Sequence, residues 1–265
     1  LFYTPDHARV GDVIPYYENG EFKLFYLKNW NPYFGSDKTY GWHLLTTKDL
    51  IHYESETAIG ILGGTGCIIK VEGLYHLYYC VFEDQPQRQY VCHATSTDLT
   101  NWTKYPDETF GPDESIYLLT DWRDPHVIWN EEEKCWWMIL CAQNQGNTKR
   151  RGCVGLCKSA DLHHWTCCEP LYAPQSSMSA YECPDLFYMN GWWYLVFSQF
   201  TDRFQTLYRM SRSCNGPWIR PKTDSFDGRA FYAAKTCSDG EHRYIFGWNP
   251  TRTQNTWNFD PDPTH

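Results

Sequence analysis

The stretch that decides the fold is Gly191–Ser198, GWWYLVFS. A turn residue opens it, and rings and branched aliphatics fill it, the composition of a short buried strand rather than of a helix. The same pattern recurs at Gly20–Leu27 (GEFKLFYL), Gly73–Cys80 (GLYHLYYC), Lys134–Cys141 (KCWWMILC) and Glu241–Trp248 (EHRYIFGW). With Leu24, Leu77, Trp137, Leu195 and Ile245 as anchors, the spacings are 53, 60, 58 and 50 residues. A second segment follows the first four copies: Thr46–Glu54 (TTKDLIHYE), Thr95–Thr103 (TSTDLTNWT), Lys158–Thr166 (KSADLHHWT) and, more weakly, Ser211–Ile219 (SRSCNGPWI). A repeat of 50–60 residues holding about four short strands is a propeller blade, and neighbouring blades bury each other's faces. The expectation is an all-β, five-bladed β-propeller occupying residues 1–265 as a single domain. Its last blade is expected to be incomplete, or completed by residues beyond these 265, because the fifth copy has no Asp-Leu segment after it.

Composition narrows the function classes. The 13 Trp, 20 Tyr and 14 Phe make 18% of the chain, which suits strands and also flat platforms for sugar rings. A net charge of −9 without a Lys/Arg run argues against a nucleic-acid partner. No run of about 18 apolar residues is present, so no membrane partner is expected. Many of the 12 Cys fall inside apolar runs, as Cys80 and Cys141 do, and are expected to be free buried thiols. That favours a reducing, cytoplasmic location. The triplet NWT at Asn101 is the opposing signal for secretion, and a chain that begins at Leu1 leaves room for a preceding segment. Neither a cofactor nor a metal is expected. Cys153 and Cys157 are four strand residues apart, about 13 Å, too far for one ion. The pairs Cys167–Cys168 and His163–His164 have no zinc-ligand spacing partner in the sequence.

The acids take on meaning within the repeat. Asp12 lies 12 residues before Leu24, Asp124 13 before Trp137, and Glu182 13 before Leu195. All three therefore read as one equivalent slot at the start of a blade's first strand, the strand nearest the central channel. Thr65 fills that slot in the second repeat; Phe231 and Tyr232, just after Asp227, fill it in the fifth. Carboxylates converging on one axis raise one another's pKa at a cost to stability, an arrangement that suits a pair of acids acting on a glycosidic bond. Arg123 would hold Asp124 ionised. Burial and neighbouring charge are expected to raise Glu182, while backbone N–H groups around Asp12 keep that residue ionised.

Two motifs extend this reading. Trp122–Val127 (WRDPHV) resembles the Arg-Asp-Pro motif of glycoside hydrolase family 32, and Tyr181–Phe187 (YECPDLF) resembles its Glu-Cys motif. The segment GWHLLTTKDLIHYE is similar to the family's Trp-Gly-His…Asp-Leu-x-x-Trp stretch. The resemblance covers essentially the whole chain. It implies a retaining β-fructofuranosidase acting on sucrose, fructo-oligosaccharides or fructans. It also implies Glu182 as acid/base, Asp12 as nucleophile and Asp124 as transition-state stabiliser. Arg123, Trp42, Thr65, Tyr232 and Asp227 are the candidate substrate-binding residues. The family reads Asn-Asp-Pro-Asn-Gly where this chain has VGDVIPYY around Asp12, and its usual β-sandwich has no counterpart in these 265 residues. The alternatives are an inverting, arabinanase-like furanosidase and a non-catalytic glycan-binding propeller. Rim loops such as Asn29–Gly41 and Cys141–Gly152 are expected to set chain-length preference, and the oligomeric state is not legible.

Overall fold

The computed structural model describes residues 3–5, 8, 10–29, 41–54, 56–85, 87–146, 148–201, 203–227 and 230–249. The first rim loop, over residues 30–40, therefore lies outside the described residues. The strands build antiparallel sheets in chain order. Sheet one contains β1 (Val10–Glu18), β2 (Glu21–Lys28), β3 (Gly41–Thr47) and β4 (Thr57–Ala58). Sheet two contains β5 (Gly64–Val71), β6 (Leu74–Asp84), β7 (Gln87–Ser96) and β8 (Thr103–Lys104). Sheet three contains β9 (Tyr117–Asn130), β10 (Cys135–Asn144), β11 (Gly152–Ser159) and β12 (Thr166–Tyr172). Sheet four contains β13 (Glu182–Met189), β14 (Trp192–Gln199) and β15 (Gln205–Ser211), with Ile219 bridged to Met210 at its outer edge. Sheet five contains β16 (Tyr232–Ser238) and β17 (Arg243–Trp248).

The first strand of each sheet is the inner one. β1 touches β5 and β16, β9 touches β5 and β13, and β13 touches β16, so the inner strands close a ring. This is an all-β propeller. Apolar clusters fill the junctions between successive sheets: Phe25, Trp42 and Leu77 join sheets one and two, Trp122, Met138 and Tyr78 join two and three, and Trp137, Leu186 and Phe197 join three and four. Phe204 and Tyr232 join four to five, and Phe22, Leu45 and Cys237 join five back to one. The anchor residues Leu24, Leu77, Trp137 and Leu195 are all buried in these junctions.

Local chemistry sets the strand lengths. The two-residue hairpins Asn19-Gly20, Glu72-Gly73 and Asn190-Gly191 all have positive φ at both positions. That is the backbone a tight hairpin between twisted strands requires. The Asp-Leu segments form one recurring turn. Thr47, Ser96 and Ser159 accept from the backbone N–H of Leu50, Leu99 and Leu162 through their hydroxyls (2.9, 2.9 and 3.0 Å). Asp98 Oδ1 accepts from Thr100 and Asn101 N–H, and Asp161 Oδ1 from His163 and His164 N–H. The three leucines take left-handed φ of 62–70° as a result. None of the twelve cysteines is in a disulfide; nine are buried and three half-buried.

Each inner strand also carries an irregularity at the same height. Val10 pairs with Lys28 and Val13 with Tyr26, three steps against two. The same shift lies between Gly64 and Cys67, Arg123 and His126, Glu182 and Asp185, and Tyr232 and Lys235. The two residues spanning each bulge are thus, first, Gly11, Thr65, Asp124, Cys183 and Ala233 and, second, Asp12, Gly66, Pro125, Pro184 and Ala234. This corrects the equivalence read from spacing. Glu182 precedes the bulge, Asp124 is its first residue and Asp12 its second. A bulge re-aims side chains, so non-equivalent positions can face one point.

Candidate active site

Asp12, Asp124 and Glu182 all stand at these bulges, where the inner strands meet. Asp124 is 5% exposed and has φ of +57°. Its Oδ2 accepts from the Cys183 N–H at 2.9 Å and the Cys183 thiol at 3.6 Å. Cys183 itself takes φ of +49°, so two consecutive sheets hold strained backbone against each other here. Burial, then the Asp124 charge, pushes the Cys183 thiol well up, so it stays protonated and serves as a donor rather than a nucleophile.

Glu182 keeps 23% of its side chain exposed. Its Oε1 accepts from Arg123 Nη2 at 2.6 Å and its Oε2 from the Tyr232 hydroxyl. Arg123 is spread over several acceptors. It also donates to Asp121, and to Gln89 Oε1 at 3.2 Å, and its Nε lies 3.8 Å from Asp124 Oδ2. Gln143 Nε2 fixes the far oxygen of Asp121 at 2.6 Å. Tyr232 stacks on Phe204 with ring centres 3.8 Å apart, and burial together with Glu182 keeps its phenol protonated.

Asp12 departs from expectation. Its donors are side chains: the Thr65 hydroxyl on Oδ2 and the Trp248 indole N–H on Oδ1 at 2.9 Å. They do not hold its pKa down. Burial first, then the Asp124 charge, raises Asp12 to about 6 against the opposing pull of the two donors, and Glu182 adds to the rise. Asp12, which the sequence reading kept ionised by backbone donors, is thus shifted upward.

The structure therefore brings together Asp12, Asp124, Glu182, Arg123, Thr65 and Tyr232. It does not bring Trp42. That ring is 2% exposed in the core between sheets one and two, because residues 42 and 44 of β3 share the face turned to sheet two. Nor does Asp227 join. It is exposed on the loop before β16, its carbonyl accepting from Gln205 Nε2, and it shares no hydrogen bond with the three acids among the described residues. Sequence reasoning missed Trp248, Asp121, Gln89 and Gln143. Trp248 had a signal: it ends its anchor strand opposite the bulge, where Lys28, Cys80, Cys141 and Ser198 stand in the other copies. Asp185, three residues from Glu182, proves structural. It is 1% exposed and accepts from Thr236 N–H and hydroxyl (2.6 and 3.0 Å), tying β13 to β16.

A propeller with a carboxylate cluster where its inner strands converge defines the class. Residues 13–260 match the profile of the glycosyl hydrolases family 32 N-terminal domain. The chain belongs to that family. It is 26% identical over 258 residues to a levanbiose-producing levanase of Bacillus subtilis, covering 89% of this chain and 45% of that one. It is 28% identical over 243 residues to a sucrose-6-phosphate hydrolase of Escherichia coli, covering 78% and 48%. The chain thus spans about half the length of the curated relatives it matches. Among solved structures, a β-fructofuranosidase of Bombyx mori superposes with a TM-score of 0.70 at 24% identity, over 91% of this chain and 55% of that one. A xylan β-1,4-xylosidase of Bacillus halodurans C-125 superposes with 0.64 at 14%, over 89% and 48%. At these identities the likeness speaks to fold alone. No helix among the described residues is long and apolar enough to cross a membrane.

Proposed function

We propose that the chain is the catalytic propeller of a retaining β-fructofuranosidase acting on sucrose, fructo-oligosaccharides or fructans, with five blades in one domain. The five-blade reading rests on the ring of inner strands and the apolar clusters at each junction. The observation that carries the chemistry is the convergence of three acids: Asp12 feels the charges of Asp124 and Glu182, and Glu182 is partly open to solvent and positioned by Arg123 and Tyr232.

In this reading, ionised Asp12 attacks the anomeric carbon while protonated Glu182 gives its proton to the leaving oxygen. Glu182 then takes a proton from the water that cleaves the fructosyl–Asp12 ester, restoring both groups. Asp124, fixed by the Cys183 N–H, accepts from sugar hydroxyls as positive charge grows on the ring. The relatives' names, a levanase and a sucrose-6-phosphate hydrolase, support the sugar class. The xylosidase with the same fold shows why the fold by itself does not select it.

The test is a screen of sucrose, inulin, levan and arabinan with chromatographic product detection and NMR of the first-formed anomer. Release of fructose with retained configuration, lost in Glu182→Gln, is the expected result. Cleavage of arabinan with inversion, or no turnover of any of the four, overturns the proposal.

A further inference from the structure

The pair His163–His164 has no partner in the sequence, but the structure supplies partners for the first of the two. His93 on β7 is 3% exposed and directs Nδ1 at Glu108 Oε2, 2.6 Å away. His163, in the Asp-Leu turn after β11, directs its own Nδ1 at Glu108 Oε1, 2.8 Å away. Glu108 ends the 3-10 turn Pro106–Glu108 that follows β8. One ligand atom from each of these residues lies within 4.8 Å of the others. We propose that His93, Glu108 and His163 form a binding site for a divalent transition-metal ion of the zinc type, bridging sheets two and three.

Three features favour coordination. The donor set, two imidazoles and a carboxylate, suits a borderline ion such as Zn²⁺ and leaves a fourth position for water. The second layer is also in place. The other ring nitrogen of His93, Nε2, lies 3.0 Å from His76 Nδ1. With its proton on Nε2, His93 donates to His76 and offers a lone pair at Nδ1, the arrangement that orients metal-bound histidines. Finally, the site is rigid on one side and open on the other. The His93 ring is held in a stack against Tyr78 (4.5 Å, 6°) and Tyr105 (5.2 Å, 26°). The His163 backbone is pinned by its N–H to Asp161 Oδ1 at 2.9 Å, while 39% of its side chain reaches solvent.

Among the described residues the Glu108 carboxylate is paired with the two histidines and with no Lys or Arg that would compete for it. The 2.6 and 2.8 Å separations are hydrogen-bond lengths. Coordination at about 2.0–2.2 Å to each ligand requires the carboxylate to withdraw slightly from the two rings. The repeat also shows the site as a local addition. The residue after Asp-Leu is Ile51 in the first copy and Thr100 in the second, and only in the third is it a histidine.

The test uses the whole chain after chelator treatment, with Zn²⁺ followed by calorimetry and thermal melting, and Co²⁺ by visible absorption. One equivalent should bind. At about a hundredfold excess over Kd the melting temperature should rise by roughly 5 °C or more. Ca²⁺ and Mg²⁺ should not raise it. His163→Ala and Glu108→Gln should each weaken binding at least tenfold, while His164→Ala, on an 88% exposed side chain, leaves it unchanged. Absence of any Zn²⁺ shift, a shift retained in both ligand variants, or thiolate charge-transfer bands with Co²⁺ would overturn the proposal.

Discussion

At the scale of single residues, Asp12 governs the pH behaviour. Its pKa near 6 in the folded chain lies above the ordinary 3.8. A raised carboxyl group stabilises the fold while protonated, and that contribution is lost as pH rises through 6. Asp12→Asn keeps an acceptor for Trp248 and removes the ionisation. It should abolish hydrolysis yet be more stable than the parent at pH 8 by up to about 3 kcal/mol, with little difference at pH 4. Denaturant melts at both pH values check the sign. On the proposed mechanism the same titration sets the acid limb of kcat/KM, because protonated Asp12 would be no nucleophile. That limb should fall near pH 6. It should move upward in Thr65→Val, since the Thr65 hydroxyl is one of the two donors that pull the pKa down. A limb that stays in place in this variant would separate it from Asp12. The convergence of Asp124 and Glu182 on one site was legible from RDP and ECPDLF, whereas the environment of Asp12 was not, because its donors come from strands 53 and 236 residues away.

At the scale of elements, the repeat was readable because every anchor strand shares a hairpin turn, an aromatic run and, in most copies, an Asp-Leu turn. What the spacing concealed is the bulge. The hairpins differ in length: six residues run from the bulge to the turn in β1 (Val13–Glu18) but five in β13 (Asp185–Met189), and β9–β10 turns on four residues rather than two, so acids at three different bulge positions all lie 12 or 13 residues from their anchors. Trp42 was misread for a related reason: the motif match located it in sequence but could not say which face of β3 it occupies. Sheet two shows how tightly the bulge is built. A Cβ at Gly66 would lie 1.7 Å from the Tyr78 carbonyl oxygen, inside any contact distance. Gly66→Ala should cost about 3 kcal/mol or more, because backbone cannot yield there as a side chain can. Urea unfolding measures the loss. The neighbouring Thr65 should be displaced with it, so catalysis falls even where the variant remains folded.

At the scale of the whole molecule, thiol chemistry tests how the sheets enclose their junctions. All 12 cysteines should titrate in denaturant without reductant, and in the native state only Cys135, Cys167 and Cys168 should react readily. Cys167 should react first, because a hydrogen bond from Cys157 lowers its pKa. Mass mapping after brief alkylation distinguishes this order from uniform labelling. The site also forms a circuit through every sheet: Thr65 to Asp12, Asp12 to Trp248, Tyr232 to Glu182, Glu182 to Arg123, and Arg123 to Gln89 back on sheet two. The Asp12–Trp248 link joins residues 236 apart. Closing so long a loop costs on the order of 5 kcal/mol in chain entropy before any contact compensates for it. Refolding should therefore proceed from the local hairpins outward, with the clasp between the first and last strands formed late. In a stopped-flow experiment, far-UV signal should recover well before enzymatic turnover, which appears only when the ends of the circuit find each other.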